Sequence, residues 1–128
     1  MLLATPRLVI AGLAGDSGKT LVSLGVIRAL ARRRLRVAPF KKGPDYIDAA
    51  WLGAAAGAPG RNLDTFMMSP QAIGSGLARG LPSDLALIEG NRGLFDGLDA
   101  VGSHSTAELA RLLEAPVVLV VNVTKMTR

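Results

Sequence analysis

The segment LVIAGLAGDSGKT, residues 8–20, decides how this chain folds. Its first four residues, Leu8–Ala11, form a short apolar run that is typical of a buried strand. A helical pattern follows from Lys19, and three glycines lie between the two segments. A glycine-rich turn from a strand into a helix can direct backbone N–H groups at a bound anion. The alternative is that these glycines serve only the packing of the turn.

The second half of this segment, GDSGKT, is the core of a phosphate-binding loop. In such a loop the lysine, here Lys19, reaches the β- and γ-phosphates, and the hydroxyl of Thr20 is placed for Mg²⁺. The common spacing puts a glycine at the position of Leu13, whereas this chain has Gly12, one place earlier. A chance glycine-rich turn is the alternative interpretation. The predicted nucleotide-binding residues are Gly15, Asp16, Ser17, Gly18, Lys19 and Thr20.

Apolar runs alternate with helical patterns along the rest of the chain. The predicted strands are Leu8–Ala11, Val37–Phe40, Leu85–Ile88 and Val117–Val123. The predicted helices are Lys19 to Arg33, Ala49–Ala56, one that begins at Ser69-Pro70, and one that a capping box at residues 105–108 opens and that reaches Leu113. Strands that are apolar throughout are buried on both faces, so this order predicts a doubly wound α/β fold with a mostly parallel sheet.

Four strands are few for such a sheet, and one edge would remain open. The last predicted strand is followed by only five residues. We therefore expect the chain to be the front part of a longer domain that is incomplete at its C-terminus.

Composition narrows the classes of function. The chain has 128 residues, a formal charge of +5 and no cysteine, which excludes disulfides, thiolate metal sites and cysteine nucleophiles. The arginines at 32–34 are interpreted as a solvated helix end, with attraction for an anionic ligand as an alternative. Aromatic residues, at 4%, are too scarce for a typical nucleic-acid-binding surface. No apolar run reaches the roughly 20 residues that span a bilayer, and the N-terminus lacks a signal-peptide pattern. The sequence predicts a cytoplasmic protein.

The segment FKKGPDYID, residues 40–48, follows the second predicted strand. Ligands of open α/β sheets bind at the carboxyl ends of the strands. Lys41, Asp45 and Asp48 could therefore hold phosphate, a metal ion or an anionic substrate. The alternative is that Asp48 caps the next helix and Asp45 serves the turn. Asp64 is another candidate carboxylate, with a solvated turn as its alternative.

The segment LALIEGNRGLFDG, residues 85–97, follows the same logic. Glu89 ends the third predicted strand at the same rim and could hold Mg²⁺ directly or through water. Asp96 could bind metal or substrate, or could simply form an Asp-Gly turn. His104 is the only histidine and cannot build a metal site alone, so it is interpreted as a surface residue at a helix start. Tyr46 or Trp51 could line a flat substrate.

Five segments together resemble the N-terminal part of the cobyrinic acid a,c-diamide synthase family. In chain order they are AGLAGDSGKT, PFKKGPDYID, RNLDTFM, EGNRGLFDG and STAELARLLEAPVVLVV. The resemblance extends over essentially the whole chain, and GPDYID followed by NLD and GLFDG is more specific than the phosphate loop. It separates the chain from dethiobiotin synthetases, whose ATPase fold is similar, and from cobyric acid synthases.

The resemblance implies a function and a set of roles. The family amidates two carboxylates of a corrin precursor, with ATP and Mg²⁺, through an acyl phosphate that ammonia from glutamine attacks. It implies a homodimer and neither nucleic acid nor a membrane as partner. The implied Mg²⁺ ligands are Thr20, Asp45 and Glu89. The residues implied to face the substrate carboxylate or the phosphorylated intermediate are Lys41, Tyr46, Ile47, Asp48, Asp64 and Asp96.

Two departures from related patterns matter. Family members continue into a glutamine amidotransferase domain with a cysteine nucleophile, so residues 1–128 are expected to be a partial ATP-binding amido-ligase domain without that domain. Positioning ATPases of the ParA/MinD type, which dimerise and bind DNA or membranes, carry a signature lysine where this chain has Ala14. That difference argues against the positioning ATPase as the alternative function. An inactive, truncated nucleotide-binding fragment is a third interpretation.

Overall fold

A computed structural model describes residues 4–124 as a five-stranded parallel sheet with helices on both faces. The strands are β1 (Arg7–Gly12), β2 (Val37–Lys42), β3 (Arg61–Leu63), β4 (Leu85–Gly93) and β5 (Val117–Val120). The helices are α1 (Lys19–Arg32), α2 (Tyr46–Ala56), α3 (Pro70–Ala78) and α4 (Thr106–Leu112). The strand order is β3-β2-β4-β1-β5, and every pair is parallel. This architecture confirms the predicted doubly wound α/β fold.

The short strand β3 is absent from the sequence prediction. It pairs with the end of β2, and Asn62 lies opposite Lys41 in the parallel register. Its residues Arg61, Asn62 and Leu63 form no apolar run, so periodicity gives no strand signal there. Tertiary pairing with β2, rather than local propensity, makes this segment a strand.

The two faces of the sheet bury separate cores. Helices α1 and α2 cover Ile10, Val37 and Leu87 on one face, whereas α3 and α4 cover the face that contains Phe40 and Ile88. Successive side chains of a strand point to opposite faces. The two lysines that end β2 therefore lie on different faces of the sheet, Lys41 with α1 and α2, and Lys42 with α3 and α4.

Strand β5 forms one edge of the sheet. It pairs with β1, and its first three residues, Val117, Val118 and Leu119, are between 38% and 45% exposed. The expectation that this strand is buried on both faces is wrong for the described residues, because it is the outermost strand in the order. No helix within residues 4–124 is long and apolar enough to cross a membrane.

The core on the α3 and α4 face supplies a stability test. Phe40 is fully buried beneath these helices, whereas Phe95 is 73% exposed. We expect Phe40→Ala to lower the free energy of unfolding by about 3–5 kcal/mol, because it removes buried apolar surface and leaves a cavity. Chemical denaturation of Phe40→Ala and Phe95→Ala measures the difference. Equal losses in the two variants would contradict the assigned core.

Candidate active site

The loop between β1 and α1 has the backbone of an anion-binding turn. Asp16 and Gly18 adopt left-handed conformations, with φ of 53° and 87°. Gly18 is the residue before the first turn of α1, and no side chain caps that helix end. The first N–H groups of a helix lack intrahelical acceptors and favour a bound anion. The residues predicted to bind phosphate are therefore arranged around a free helix N-terminus.

Gly12 explains why the glycine of the motif is displaced by one residue. A Cβ atom at this position would lie 2.2 Å from Oγ of Ser17 and 2.6 Å from the carbonyl oxygen of Ala14. Only a residue without a side chain lets the loop fold back over the end of β1 in this way. The carbonyl of Gly12 also accepts a hydrogen bond from the N–H of Leu94, at 2.7 Å. Gly12 thus links the phosphate loop to the segment that follows β4.

A buried cluster of polar side chains lies beside this loop. One oxygen of Glu89, Oε1, accepts hydrogen bonds from Oγ1 of Thr20 at 2.6 Å and from Nζ of Lys41 at 3.0 Å. The same ammonium lies 3.0 Å from Oδ2 of Asp48 and donates to the carbonyl of Gly90 at 3.0 Å. The side chain of Glu89 is 0% exposed and that of Lys41 is 2% exposed. Four residues predicted from three separate segments are thus brought together: Thr20, Lys41, Asp48 and Glu89.

This cluster is a source of fixed charge rather than of stability. Desolvation of two ions costs several kcal/mol per ion, and replacement of a buried pair by apolar residues is often neutral or stabilising. The attraction between Lys41 and Glu89 is strong here because both side chains are shielded from water. The arrangement therefore holds charged groups in one geometry next to the phosphate loop, as electrostatic catalysis requires.

The oxygen atoms of this cluster fit a magnesium ion. The second carboxylate oxygen of Glu89, Oε2, is buried and has no hydrogen-bond partner within residues 4–124. Mg²⁺ prefers oxygen ligands and is usually held by one or two carboxylates together with substrate phosphates and waters. No group of three or more histidine, cysteine, aspartate or glutamate residues in the described part of the chain could hold a metal ion. The donor set of Glu89 and Thr20 matches a magnesium ion that also takes ligands from phosphates and waters.

Asp45 lies outside this cluster. Its Oδ1 accepts hydrogen bonds from the N–H groups of Ile47 and Asp48, so it is Asp45 that caps α2. The hydrogen bond from the Asp48 N–H holds the pKa of the Asp45 carboxyl below its ordinary value. The alternative in which Asp48 caps this helix is wrong, because Asp48 lies in the first turn and pairs with Lys41. The role of Asp45 as a magnesium ligand stays a prediction.

The remaining predicted residues lie along the same rim but outside the cluster. Oδ1 of Asp64 accepts hydrogen bonds from the N–H groups of Phe66 and Met67, at 2.8 and 3.0 Å. Oδ2 of Asp96 accepts a hydrogen bond from the N–H of Gly93 at 2.8 Å. Tyr46 and Ile47 are exposed in the first turn of α2, at 77% and 56%. Their roles toward substrate stay predictions.

Asn62 and His104 form hydrogen bonds with loops at the rim. The sequence predicts no role for Asn62 and a surface position for His104. Nδ2 of Asn62 donates to the carbonyls of Gly43 and Asp45, at 2.7 and 3.0 Å, and so fixes the loop that follows β2. His104 is half-buried, with Nδ1 3.0 Å from Oγ1 of Thr65. Asn62 lies in the middle of β3, a segment that the sequence predicts as a loop, so no local pattern identifies it.

Comparison with known proteins agrees with this geometry. Residues 8–122 match the CobQ/CobB/MinD/ParA nucleotide binding domain family. The chain is 51% identical over 124 residues to a cobyrinate a,c-diamide synthase of Magnetococcus marinus, which covers 96% of this chain and 27% of that protein. It is 46% identical over 127 residues to a hydrogenobyrinate a,c-diamide synthase of Streptomyces coelicolor, which covers 98% of this chain and 26% of that protein. The chain spans about a quarter of the length of these relatives.

The contact between Gly12 and Ser17 can be tested by substitution. We expect Gly12→Ala to lower the free energy of unfolding by about 1–3 kcal/mol, because the new methyl group forces the loop away from β1. Gly25→Ala is the matched control, since Gly25 lies within α1 with open space around it. This substitution should raise the free energy of unfolding by about 0.5–1 kcal/mol. Thermal and chemical unfolding of both variants measure the effect. A Gly12→Ala variant as stable as the unmodified chain would refute this packing role.

Proposed function

Because the chain belongs to the CobQ/CobB/MinD/ParA nucleotide binding domain family, we propose that it is the ATP-binding part of an amide-forming ligase. Its substrate in this proposal is cobyrinic or hydrogenobyrinic acid, whose a and c carboxylates are amidated in cobalamin biosynthesis. The names of the relatives support the substrate. The observation that carries the proposal is the buried cluster in which Glu89 joins Thr20 of the phosphate loop to Lys41.

The chemistry of the proposed reaction needs no covalent nucleophile from the protein. An oxygen of the substrate carboxylate attacks the γ-phosphorus of ATP, and the bond to the bridging oxygen breaks to release ADP. Ammonia then attacks the carbonyl carbon of the acyl phosphate, loses a proton and expels inorganic phosphate. The amide and phosphate are the products. Such a transfer depends on positioning and on neutralisation of charge.

The proposed roles of the residues follow from their charges. Lys19 and the N-terminus of α1 neutralise the triphosphate, which lies along the loop. Thr20 and Glu89 would hold Mg²⁺, which supplies positive charge to the phosphate oxygens when it is bound. Lys41 lies between two carboxylates, each 3.0 Å from its Nζ, and provides a fixed cation for the transferred phosphoryl group.

Other parts of the proposal concern the longer protein. The ammonia comes from glutamine, which an amidotransferase domain outside residues 1–128 hydrolyses, and two copies of the longer protein form a dimer. The chain covers about a quarter of its relatives, which supports its assignment as a partial amido-ligase domain. The ParA/MinD alternative is disfavoured by Ala14 and by the names of the relatives.

Nucleotide binding is tested first by calorimetry with Mg·ATP and the 128-residue chain. We expect Lys19→Ala to weaken binding by at least about 10-fold, because it removes a charged hydrogen bond to phosphate. Glu89→Gln should abolish the dependence of binding on Mg²⁺, since it removes the carboxylate beside Thr20. Arg28→Ala, on the outer surface of α1, is the control for lost positive charge. Equal affinities in all four proteins would contradict the assigned loop.

Amidation is tested in a chimaera, in which residues 8–122 replace the matching segment of the Magnetococcus marinus relative. We expect the chimaera to amidate cobyrinate, and Asp48→Asn to abolish this activity, because Lys41 loses one of its two carboxylates. Asp84→Asn is the matched control. Asp84 pairs with Arg36 at the amino ends of β2 and β4, away from the cluster around Glu89. Mass spectrometry of the products reports the amides. A folded chimaera that binds Mg·ATP but forms no amide, beside an active parent, would overturn the proposed function.

A further inference from the structure

Lys42 is a buried cation that forms no ion pair with any of the residues that the structure describes. It is 6% exposed, on the face of the sheet opposite to Lys41. Its ammonium has no carboxylate within 4.0 Å and no hydrogen bond among residues 4–124, whereas Lys41 contacts both Glu89 and Asp48. A lysine is almost never fully buried unless it is paired. The position of Lys42 therefore needs a reason other than packing.

The groups around Lys42 do not compensate for its burial. Its charged neighbours are Lys41 on the same strand, Asp64 in the loop after β3, and Glu108 on α4. Burial lowers the pKa of Lys42, and the attraction of Asp64 offsets only part of this effect. A lowered pKa in the folded state means that unfolding binds protons, so the free energy of unfolding rises with pH up to the ordinary pKa of lysine. In its charged form, Lys42 therefore lowers the stability of the folded state.

The side chain of Lys42 borders a polar cavity of about 810 Å³ at the rim. The side chains that line it include Lys42, Asn91, Arg92, Asp96, Asp99 and His104. Arg92 is a second cation with no carboxylate within 4.0 Å among residues 4–124. The two aspartates accept hydrogen bonds from the backbone N–H groups of their own loop. The cavity therefore presents two cations whose side-chain N–H groups have no acceptor in the described part of the chain and can bind an anion.

We propose that Lys42 and Arg92 bind a carboxylate of the substrate other than the one that is activated. The inference rests on the proposed function and deepens it. Lys41 and Lys42 end the same strand on opposite faces, so a substrate that reaches both must carry carboxylates at separate positions. The ligand class is thus a polycarboxylic acid. An arginine and a lysine form strong, charge-assisted hydrogen bonds to a carboxylate, and Asn91 can donate a further one.

The test is calorimetric titration of the 128-residue chain with hydrogenobyrinate, at a fixed concentration of Mg·ATP. We expect Lys42→Met to weaken the binding of hydrogenobyrinate by about 10- to 100-fold, and Arg92→Met to weaken it in the same direction. Arg28→Met, remote from the cavity, is the control for the loss of one positive charge. Binding of Mg·ATP should be unchanged in all three variants.

A second readout separates binding from a structural role. Lys42→Met should be at least as stable to heat as the unmodified chain, because it removes an unpaired buried charge; a structural lysine would give a loss of stability instead. Arg92 is exposed, so Arg92→Met tests the site without disturbing the core. Unchanged affinity for hydrogenobyrinate in both variants overturns this inference and leaves the proposed function intact. If the unmodified chain binds Mg·ATP but not hydrogenobyrinate, this inference is wrong, whereas the proposed substrate is tested separately by amidation of cobyrinate in the chimaera.

Discussion

The parallel pairing of β2 with β4 sets the geometry on which the site depends. This register places Lys41, near the carboxyl end of β2, opposite Glu89 in the middle of β4, which continues to Gly93 rather than ending at Ile88 as predicted. Their side chains then meet at 3.0 Å, and Thr20 at the start of α1 reaches the same carboxylate oxygen. A shift of β2 by one residue would move Lys41 to the face of the sheet opposite to Glu89. The phosphate loop and the rim therefore share one rigid scaffold.

Three hydrogen bonds in β4 and the loop after it make this scaffold stiff. The carbonyl of Gly12 accepts the N–H of Leu94, Gly93 donates to Asp96, and Thr20 donates to Glu89. The first joins the end of β1 to the loop after β4, the second fixes that loop, and the third joins α1 to β4. A ligand bound on the loop is thus held in a constant position relative to the charges at the rim, and such preorganisation is the main source of electrostatic catalysis.

The two lysines that end β2 lie in different environments, on opposite faces of the sheet. Lys41 is neutralised by Glu89 and Asp48, whereas Lys42 faces a polar cavity without a carboxylate partner within 4.0 Å in residues 4–124. Burial of a charge without a partner is costly, and such costs are usually retained where a ligand repays them. The strand thereby supplies a fixed cation on one face and a cation available to a ligand on the other.

The sequence by itself determined the fold class, the phosphate loop and the identity of the rim residues, because strand periodicity and glycine spacing are local properties. It could not determine β3, since Arg61 and Asn62 become a strand only through pairing with β2. Nor could it decide which aspartate caps α2, or that β2 extends past Phe40 and so places Lys41 and Lys42 on opposite faces of the sheet. These features depend on register and on the faces of the sheet, which only the tertiary structure fixes.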